Sequence, residues 1–215
     1  ERLTLGRDPD EHAAAAESAP LTADALTYGE FPLDFFEVLV RRALTHAGRD
    51  AAGTTLVDYG SGCGRLVYAA AVLFPELERV VGIEVVESLH KLALRVAPLA
   101  AAHADYAGGA PVSFVHGDAS SMLEALMATE RMCVFAYSTA FASADGLVLD
   151  DLSAACARLP VGSRIVTTDR QLAPVLGGDK RLDARVAYRL LATFEGPNPE
   201  CASSTGYVWE LVSIS

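Results

Sequence analysis

A glycine-rich segment at residues 55–64 (TLVDYGSGCG) restricts the fold of this chain more than any other feature. A short apolar stretch brings Asp58 to its carboxyl end, three glycines follow at alternate positions, and a helical run begins at Arg65. The three are Gly60, Gly62 and Gly64. Glycine permits the backbone angles of such a turn and lets the main chain approach a ligand closely. The segment therefore predicts a strand, a cofactor-binding loop and a helix in succession.

Two types of cofactor loop share this outline, and the position of the third glycine separates them. In the dinucleotide fingerprint G-x-G-x-x-G the last glycine would fall on Arg65, so the pattern for nicotinamide and flavin cofactors fails there. The chain instead carries acid-x-G-x-G-x-G, with Asp58 as the acid. This pattern resembles the first motif of class I S-adenosylmethionine (SAM)-dependent methyltransferases. The resemblance implies a loop around a cationic, phosphate-free cofactor, with the acid facing the amino-acid end of SAM.

Two more acids follow predicted strands. Glu84 lies at the carboxyl end of the second strand, residues 79–86 (RVVGIEVV), where an acid about 20 residues beyond a glycine loop hydrogen-bonds ribose hydroxyls. Asp118, with Ala119 beside it, follows the third strand at residues 112–116. Asp118 looks like the methyltransferase acid that meets the adenine amino group. It could equally cap the next helix, and the two roles are compatible because capping leaves carboxylate lone pairs free.

The remaining pattern predicts an α/β fold. The fourth strand, residues 132–137 (MCVFAY), is almost wholly apolar, which is typical of a parallel strand buried on both faces. A fifth strand at residues 163–168 precedes two strand-like segments at residues 186–194 and 206–214, joined by a loop with two prolines. This order predicts a doubly wound, Rossmann-like, seven-stranded and mostly parallel sheet with a C-terminal antiparallel hairpin, which is the class I methyltransferase fold.

Outside the sheet, an amphipathic helix is predicted from a stripe of apolar side chains at spacings of three and four, beginning at Leu33 and including Phe36 and Val40. Residues 1–25 carry charge and an alanine-rich patch without such a stripe, so they are expected to form a loosely attached N-terminal arm. Residues 26–215 are expected to form one methyltransferase domain. A proline at position 98 should kink or split the helix after the second strand.

Composition limits the location and the partners. The formal net charge is −11, which repels phosphate backbones, so no direct nucleic-acid binding is expected; if the charge has a role beyond solubility, it favours a basic partner. No apolar run reaches membrane-spanning length, and the four cysteines show no C-x-x-C pair. The five histidines show no metal-ligand spacing. A soluble intracellular protein, in the nucleus or the cytoplasm, with reduced thiols and no metal site is therefore expected.

Taken in order, several of these segments resemble the catalytic domain of the DOT1 family of histone lysine methyltransferases. The resemblance rests on Thr27-Tyr28-Gly29-Glu30, the following amphipathic helix, the glycine loop, Gly82-Ile83-Glu84, Gly117-Asp118 and Phe141. It implies a loop closing over SAM, a cofactor cleft, and a channel for the acceptor lysine. The loop would contain Tyr28, Gly29 and Glu30. The cleft would be formed by Asp58, Gly60, Ser61, Gly62, Glu84, Asp118, Ala119 and Tyr137. Tyr28, Tyr137 and Phe141 would line the channel, with Tyr207 and Trp209 as further candidates for its walls.

The acceptor is where this sequence departs from that family. DOT1 enzymes carry Asn-Asn-Phe-Ala-Phe-Gly after the fourth strand, whereas this chain carries Tyr-Ser-Thr-Ala-Phe-Ala at residues 137–142, so a remodelled acceptor channel is expected. The implied partner is a protein with a basic, lysine-containing segment, which includes a histone or another protein. Two alternatives stay open: a class I methyltransferase acting on a small molecule or a protein terminus, and a non-catalytic SAM-binding module.

Overall fold

The computed structural model describes residues 29–126, 131–141, 143, 146–174, 186–200 and 202–214. The proposed arm at residues 1–25 and the side chain of Tyr28 lie outside these ranges. The division of the chain into an arm and a domain therefore stays a prediction.

The helices and strands alternate over most of the described chain. The helices are α1 (Leu33–Thr45), α2 (Arg65–Leu73), α3 (Glu87–Ala102), α4 (Ala119–Ala125) and α5 (Asp150–Cys156). The strands are β1 (Thr54–Tyr59), β2 (Arg79–Glu84), β3 (Val112–His116), β4 (Arg131–Ala136), β5 (Val148–Leu149), β6 (Arg164–Thr168), β7 (Gln171–Leu172), β8 (Val186–Asn198) and β9 (Ala202–Ser213). Among these helices, none is long and apolar enough to cross a membrane.

Seven strands form one sheet in the order β3-β2-β1-β4-β6-β9-β8. Strands β1, β2, β3, β4 and β6 are parallel, and β9 pairs antiparallel with both β6 and β8. The predicted sheet, with its antiparallel C-terminal hairpin, is thereby confirmed. The strand order reverses at β1, so the carboxyl ends of β1 and β4 flank the crevice where ligands of such sheets bind.

The sheet is buried between two apolar layers. Helix α1 presents Phe36, Leu39 and Val40, all at most 1% exposed, to one face of the sheet. On that face the ring of Phe36 meets the ring of Phe135 of β4 edge-on, with 4.8 Å between centroids. Burial of aromatic and aliphatic side chains of this size contributes about 1.5–3 kcal/mol each to folding. The predicted amphipathic helix therefore anchors the chain just before the glycine loop.

Two prolines lie inside regular elements: Pro98, which was predicted to kink or split a helix, and Pro197, which was predicted to lie in the loop between the last two strands. Helix α3 continues through Pro98, because this residue is exposed and the carbonyl left without a donor can meet water. Strand β8 continues through Pro197, which pairs with Ser203 in the ladder. Since β8 is an edge strand, a missing backbone donor is tolerated there. The predicted loop between the last two strands is therefore much shorter than the prolines indicated.

Candidate functional site

The glycine loop lies between β1 and α2 and is held against the end of β2. Gly60, Gly62 and Gly64 have φ values of 84°, 54° and 83°, in the left-handed region that favours glycine. The backbone N–H groups of Gly60 and Ser61 both donate to the carbonyl of Ile83, at 3.0 and 2.9 Å. The loop is therefore a defined turn whose main chain is fixed beside the last residues of β2.

Glu84 is buried under this loop. Its side chain is 6% exposed; Oε2 accepts the N–H of Gly62 at 2.7 Å, and Oε1 accepts the N–H of Val86 at 2.7 Å. Burial raises the pKa of this carboxyl, while the N–H groups of Val86 and Gly62 act in the opposite direction. Glu84 thus both shapes the loop and brings a carboxylate to the place where a ribose acid was predicted.

Asp58 is a second buried acid at the same edge of the sheet. It is 5% exposed, and burial followed by the nearby Glu84 raises its pKa to about 7. Two carboxyl groups in one desolvated site oppose each other's ionisation. A cation placed beside them would relieve that repulsion, so the site suits a positively charged ligand and disfavours a pyrophosphate.

The hydroxyl group of Ser61 also indicates a ligand at the loop. Ser61 is 7% exposed, and its Oγ has no hydrogen-bond partner among the described residues. Buried polar groups in folded proteins are almost always paired, so an unpaired hydroxyl in a ligand-binding loop fits a site completed by a bound polar group. The acids, the loop and this hydroxyl are compatible with the amino-acid and ribose portions of SAM.

Asp118 follows β3 along the same edge of the sheet, and the rings of Tyr59 and Phe141 lie at the end of β1 and after β4. Asp118 caps α4: Oδ1 accepts the N–H of Ser120 at 3.2 Å, and Oδ2 accepts the hydroxyl of Ser121 at 3.2 Å. The capping role left open by the sequence is therefore present, and the side chain remains exposed to a ligand. Tyr59 is hydrogen-bonded to Ser120 at 2.6 Å, and its ring lies 5.4 Å from that of Phe141.

Phe141 lies over the glycine loop. Carbon atoms of its ring lie 3.5 Å from the place where a Cβ on Gly60 would be. The residue was predicted to line an acceptor channel, and the structure places it within contact distance of the candidate cofactor loop. Ala119, the first residue of α4, is 7% exposed in the adjoining apolar cluster.

Tyr137 lies past the end of β4, in a polar network that the sequence did not indicate. Its hydroxyl donates to Glu200 Oε2 at 3.1 Å and accepts from Asn198 Nδ2 at 3.1 Å. Glu200 Oε1 accepts the N–H of Glu30 at 3.0 Å. Asn198 and Glu200 lie at the tip of the β8–β9 hairpin, where Asn-Pro-Glu gives only a turn signal. Tertiary folding alone brings them to Tyr137.

Tyr207 and Trp209, the further candidates for the walls of the acceptor channel, are not part of the hydrogen-bonded network around Tyr137. Trp209 is 7% exposed within β9, and its Nε1–H donates to Thr167 Oγ1 at 3.1 Å, while Tyr207 packs beside it with 5.9 Å between ring centroids. Trp209 therefore has a packing role in the sheet. The predicted residues that the structure does place along the carboxyl edge of the sheet are Gly29, Glu30, Asp58, Gly60, Ser61, Gly62, Glu84, Asp118, Ala119, Tyr137 and Phe141.

Comparison with solved structures places this geometry in a known fold. The rRNA methyltransferase aviRa from Streptomyces viridochromogenes is 16% identical, with a TM-score of 0.55 over 99% of this chain and 95% of that one. An arsenic(III) S-adenosylmethionine methyltransferase, CrArsM from Chlamydomonas reinhardtii, is 18% identical, with a TM-score of 0.52 over 96% of this chain and 75% of the other. TrmN from Thermus thermophilus is 19% identical, with a TM-score of 0.55 over 87% of this chain and 51% of the other.

No protein-family model matches the sequence, and no curated protein matches it. The names of these solved structures do not point to the DOT1 family, so the sequence resemblance to that family gains no support from them. The sheet order and the antiparallel hairpin agree with the structural matches. The chain has the class I methyltransferase fold.

Proposed function

We propose that this protein is a SAM-dependent methyltransferase. The observation that carries the proposal is the pair of buried acids, Asp58 and Glu84, packed against a glycine loop at the carboxyl edge of a class I sheet. SAM supplies an electrophilic methyl group on a sulfonium and also carries an ammonium group and a ribose diol. A cation beside Asp58 and a diol beside Glu84 match the charge and the hydrogen-bonding capacity of those groups.

Each residue has a distinct role in this proposal. Asp58 attracts the ammonium group, Glu84 accepts from the ribose hydroxyls, and Asp118 accepts from the adenine amino group. Ser61 pairs its buried hydroxyl with a polar atom of the cofactor, and Phe141 covers the loop. Transfer of a methyl group from a sulfonium needs alignment and exclusion of water, so the protein has to orient two reactants rather than supply a nucleophile.

A small molecule is the acceptor that the surroundings of Tyr137 favour. Glu30, Glu200 and Asp118 are exposed along this edge of the sheet, and acids in that position would repel a phosphate backbone. A ring wall such as Tyr137 suits an acceptor that enters a partly apolar mouth. The resemblance to DOT1 keeps a protein lysine as the second candidate, because residues 29 and 30 do lie against Tyr137 and the hairpin tip.

The direct test of this proposal is calorimetric titration with S-adenosylhomocysteine (SAH), with NADH as a control. SAH shares the amino-acid, ribose and adenine groups of SAM, so we expect saturable binding of SAH and none of NADH. Absence of SAH binding would contradict the cofactor assignment. Binding of NADH in its place would show that the loop accepts a dinucleotide although Arg65 stands where the fingerprint G-x-G-x-x-G has its last glycine.

We expect Tyr137→Ala to separate acceptor chemistry from cofactor binding. Loss of the ring opens the mouth of the site, so methyl transfer from radiolabelled SAM to a small-molecule extract or to purified histones should fall at least about tenfold, the scale on which reactant orientation matters. The affinity for SAH should fall by a clearly smaller factor than methyl transfer does, because the cofactor groups themselves are held by other residues. Equal loss of both would assign Tyr137 to the cofactor pocket. Tyr207→Phe is the control, because it changes an aromatic residue that lies outside the network around Tyr137.

A further inference from the structure

Residues 29–31 form a short segment that is fixed at two places. The backbone carbonyl of Phe31 accepts from Arg65 Nη1 at 2.7 Å, and Arg65 is the first residue of α2, directly after the glycine loop. The backbone N–H of Glu30 donates to Glu200 Oε1 at 3.0 Å. The segment therefore connects the start of the loop helix with the tip of the β8–β9 hairpin.

The same Glu200 carboxylate also holds Tyr137. Its second oxygen, Oε2, accepts the Tyr137 hydroxyl at 3.1 Å, so one side chain joins the segment and the ring. Asn198 supports this arrangement: it is 1% exposed, its Nδ2 donates to Tyr137 Oη, and its Oδ1 accepts the N–H of Glu200 at 3.0 Å. Asn198, the last residue of β8, thus helps to hold Glu200 in place.

The three groups meet so closely that a side chain at position 29 would separate them. A Cβ on Gly29 would lie 2.8 Å from Glu200 Oε2 and 2.9 Å from Tyr137 Cε1, shorter than real Cβ contacts allow. Phe31 adds an apolar contact, since its ring lies 5.0 Å from the ring of Tyr137. The contact is therefore a specific fit of backbone, carboxylate and ring.

We propose that Glu200 is a positioning residue that latches residues 29–31 and Tyr137 together at the rim of the candidate site. This inference rests on the proposed function, because the ligand that the latch retains is the cofactor held by the glycine loop. The carbonyl of Phe31 binds this segment to Arg65 beside that loop, so opening the latch loosens the wall of the site and speeds the release of the ligand. Glu200 acts through the segment and the ring and does not contact the reacting atoms.

Two measurements on Glu200→Ala test the latch: hydrogen exchange of the Glu30 amide and the dissociation rate of SAH. Loss of a hydrogen bond to a charged group costs enough free energy to change a rate about tenfold. The exchange rate of the Glu30 amide and the dissociation rate of SAH should therefore each rise about tenfold. Glu200→Gln keeps one acceptor oxygen and should fall between the wild type and the alanine variant. Glu195→Ala is the matched control, because Glu195 is an exposed acid of the same hairpin that accepts from Thr205 Oγ1 at 2.8 Å.

The outcomes separate the latch from the function. Unchanged exchange at Glu30 in Glu200→Ala, equal to that in Glu195→Ala, overturns the latch. Faster exchange with an unchanged SAH dissociation rate overturns its connection with the site. If the wild type binds no SAH, the proposed function fails, while the exchange rate at Glu30 still decides whether Glu200 holds the segment. If Glu200→Ala does not fold, Glu200→Gln carries the same comparison.

Discussion

Glu84→Gln is expected to raise the dissociation constant of SAH at least about 100-fold, which corresponds to loss of two or more charge-assisted hydrogen bonds. Both carboxylate oxygens of Glu84 already accept backbone N–H groups, from Gly62 and Val86. A glutamine amide offers one oxygen only and turns an NH₂ group toward one of these donors. The loop then shifts, and the ribose loses its acceptor at the same time. Calorimetric titration with SAH measures both effects together.

The variant should also lower the free energy of unfolding by about 1–3 kcal/mol, because one buried N–H is left without an acceptor. Glu87→Gln is the matched control: this acid lies three residues further on, in the first turn of α3, and pairs with Lys91 at 2.8 Å on the surface. It should bind SAH like the wild type. Equal SAH affinity of the two variants would remove Glu84 from the ribose site.

The sheet could be predicted because its signals are local. An apolar strand, an alternating-glycine turn and an acid at a strand end each follow from a few neighbouring residues, so β1, β2 and β4 were located to within a few residues. The antiparallel insertion of β9 followed from the final pair of strand-like segments. The short parallel pair of β5 and β7 was missed, because two-residue strands give no periodicity to detect.

The candidate site was predictable only in part. The strand-end rule located Glu84, but its two backbone partners depend on the loop folding back over β2, which no local pattern encodes. Asn198 and Glu200 were missed for the same reason. They reach Tyr137 across 61 and 63 residues of sequence, and Pro197 and Pro199 suggested a longer loop, whereas the edge strand β8 continues to Asn198. Long-range contacts made by ordinary polar residues leave no mark in a single sequence.

Asp58→Asn is expected to change both the stability and the binding of this protein, in opposite directions. The folded-state pKa of Asp58 is raised to about 7 from an ordinary value of 3.8, so the folded protein keeps a proton that the unfolded chain has released. The contribution of Asp58 to the free energy of unfolding therefore falls as the pH rises from about 4 to about 7, by an amount on the order of 4 kcal/mol. Asparagine does not ionise, so the variant should not lose this part of the free energy of unfolding as the pH rises.

Denaturant unfolding should accordingly find the variant similar to the wild type at about pH 4 and more stable at about pH 8. The remaining pH dependence would come from groups such as Glu84, whose pKa is also raised by burial. A variant that is less stable than the wild type at high pH would mean that Asp58 is ionised and stabilised by a partner in the folded protein.

Binding supplies the second half of this prediction. The ammonium group of SAH is attracted by ionised Asp58, so the affinity of the wild type should rise about tenfold from pH 6 to pH 8 as the carboxyl group loses its proton around pH 7. Asp58→Asn should bind SAH more weakly at pH 8 and lose this pH dependence. Calorimetry in buffers of different ionisation enthalpy should show a proton released on binding near pH 7 by the wild type and none by the variant.

Affinity that is independent of pH in the wild type would exclude Asp58 from contact with the ammonium group. If the variant is more stable than the wild type at pH 8 but binds SAH more weakly, Asp58 lowers the free energy of unfolding and raises the affinity for the ligand.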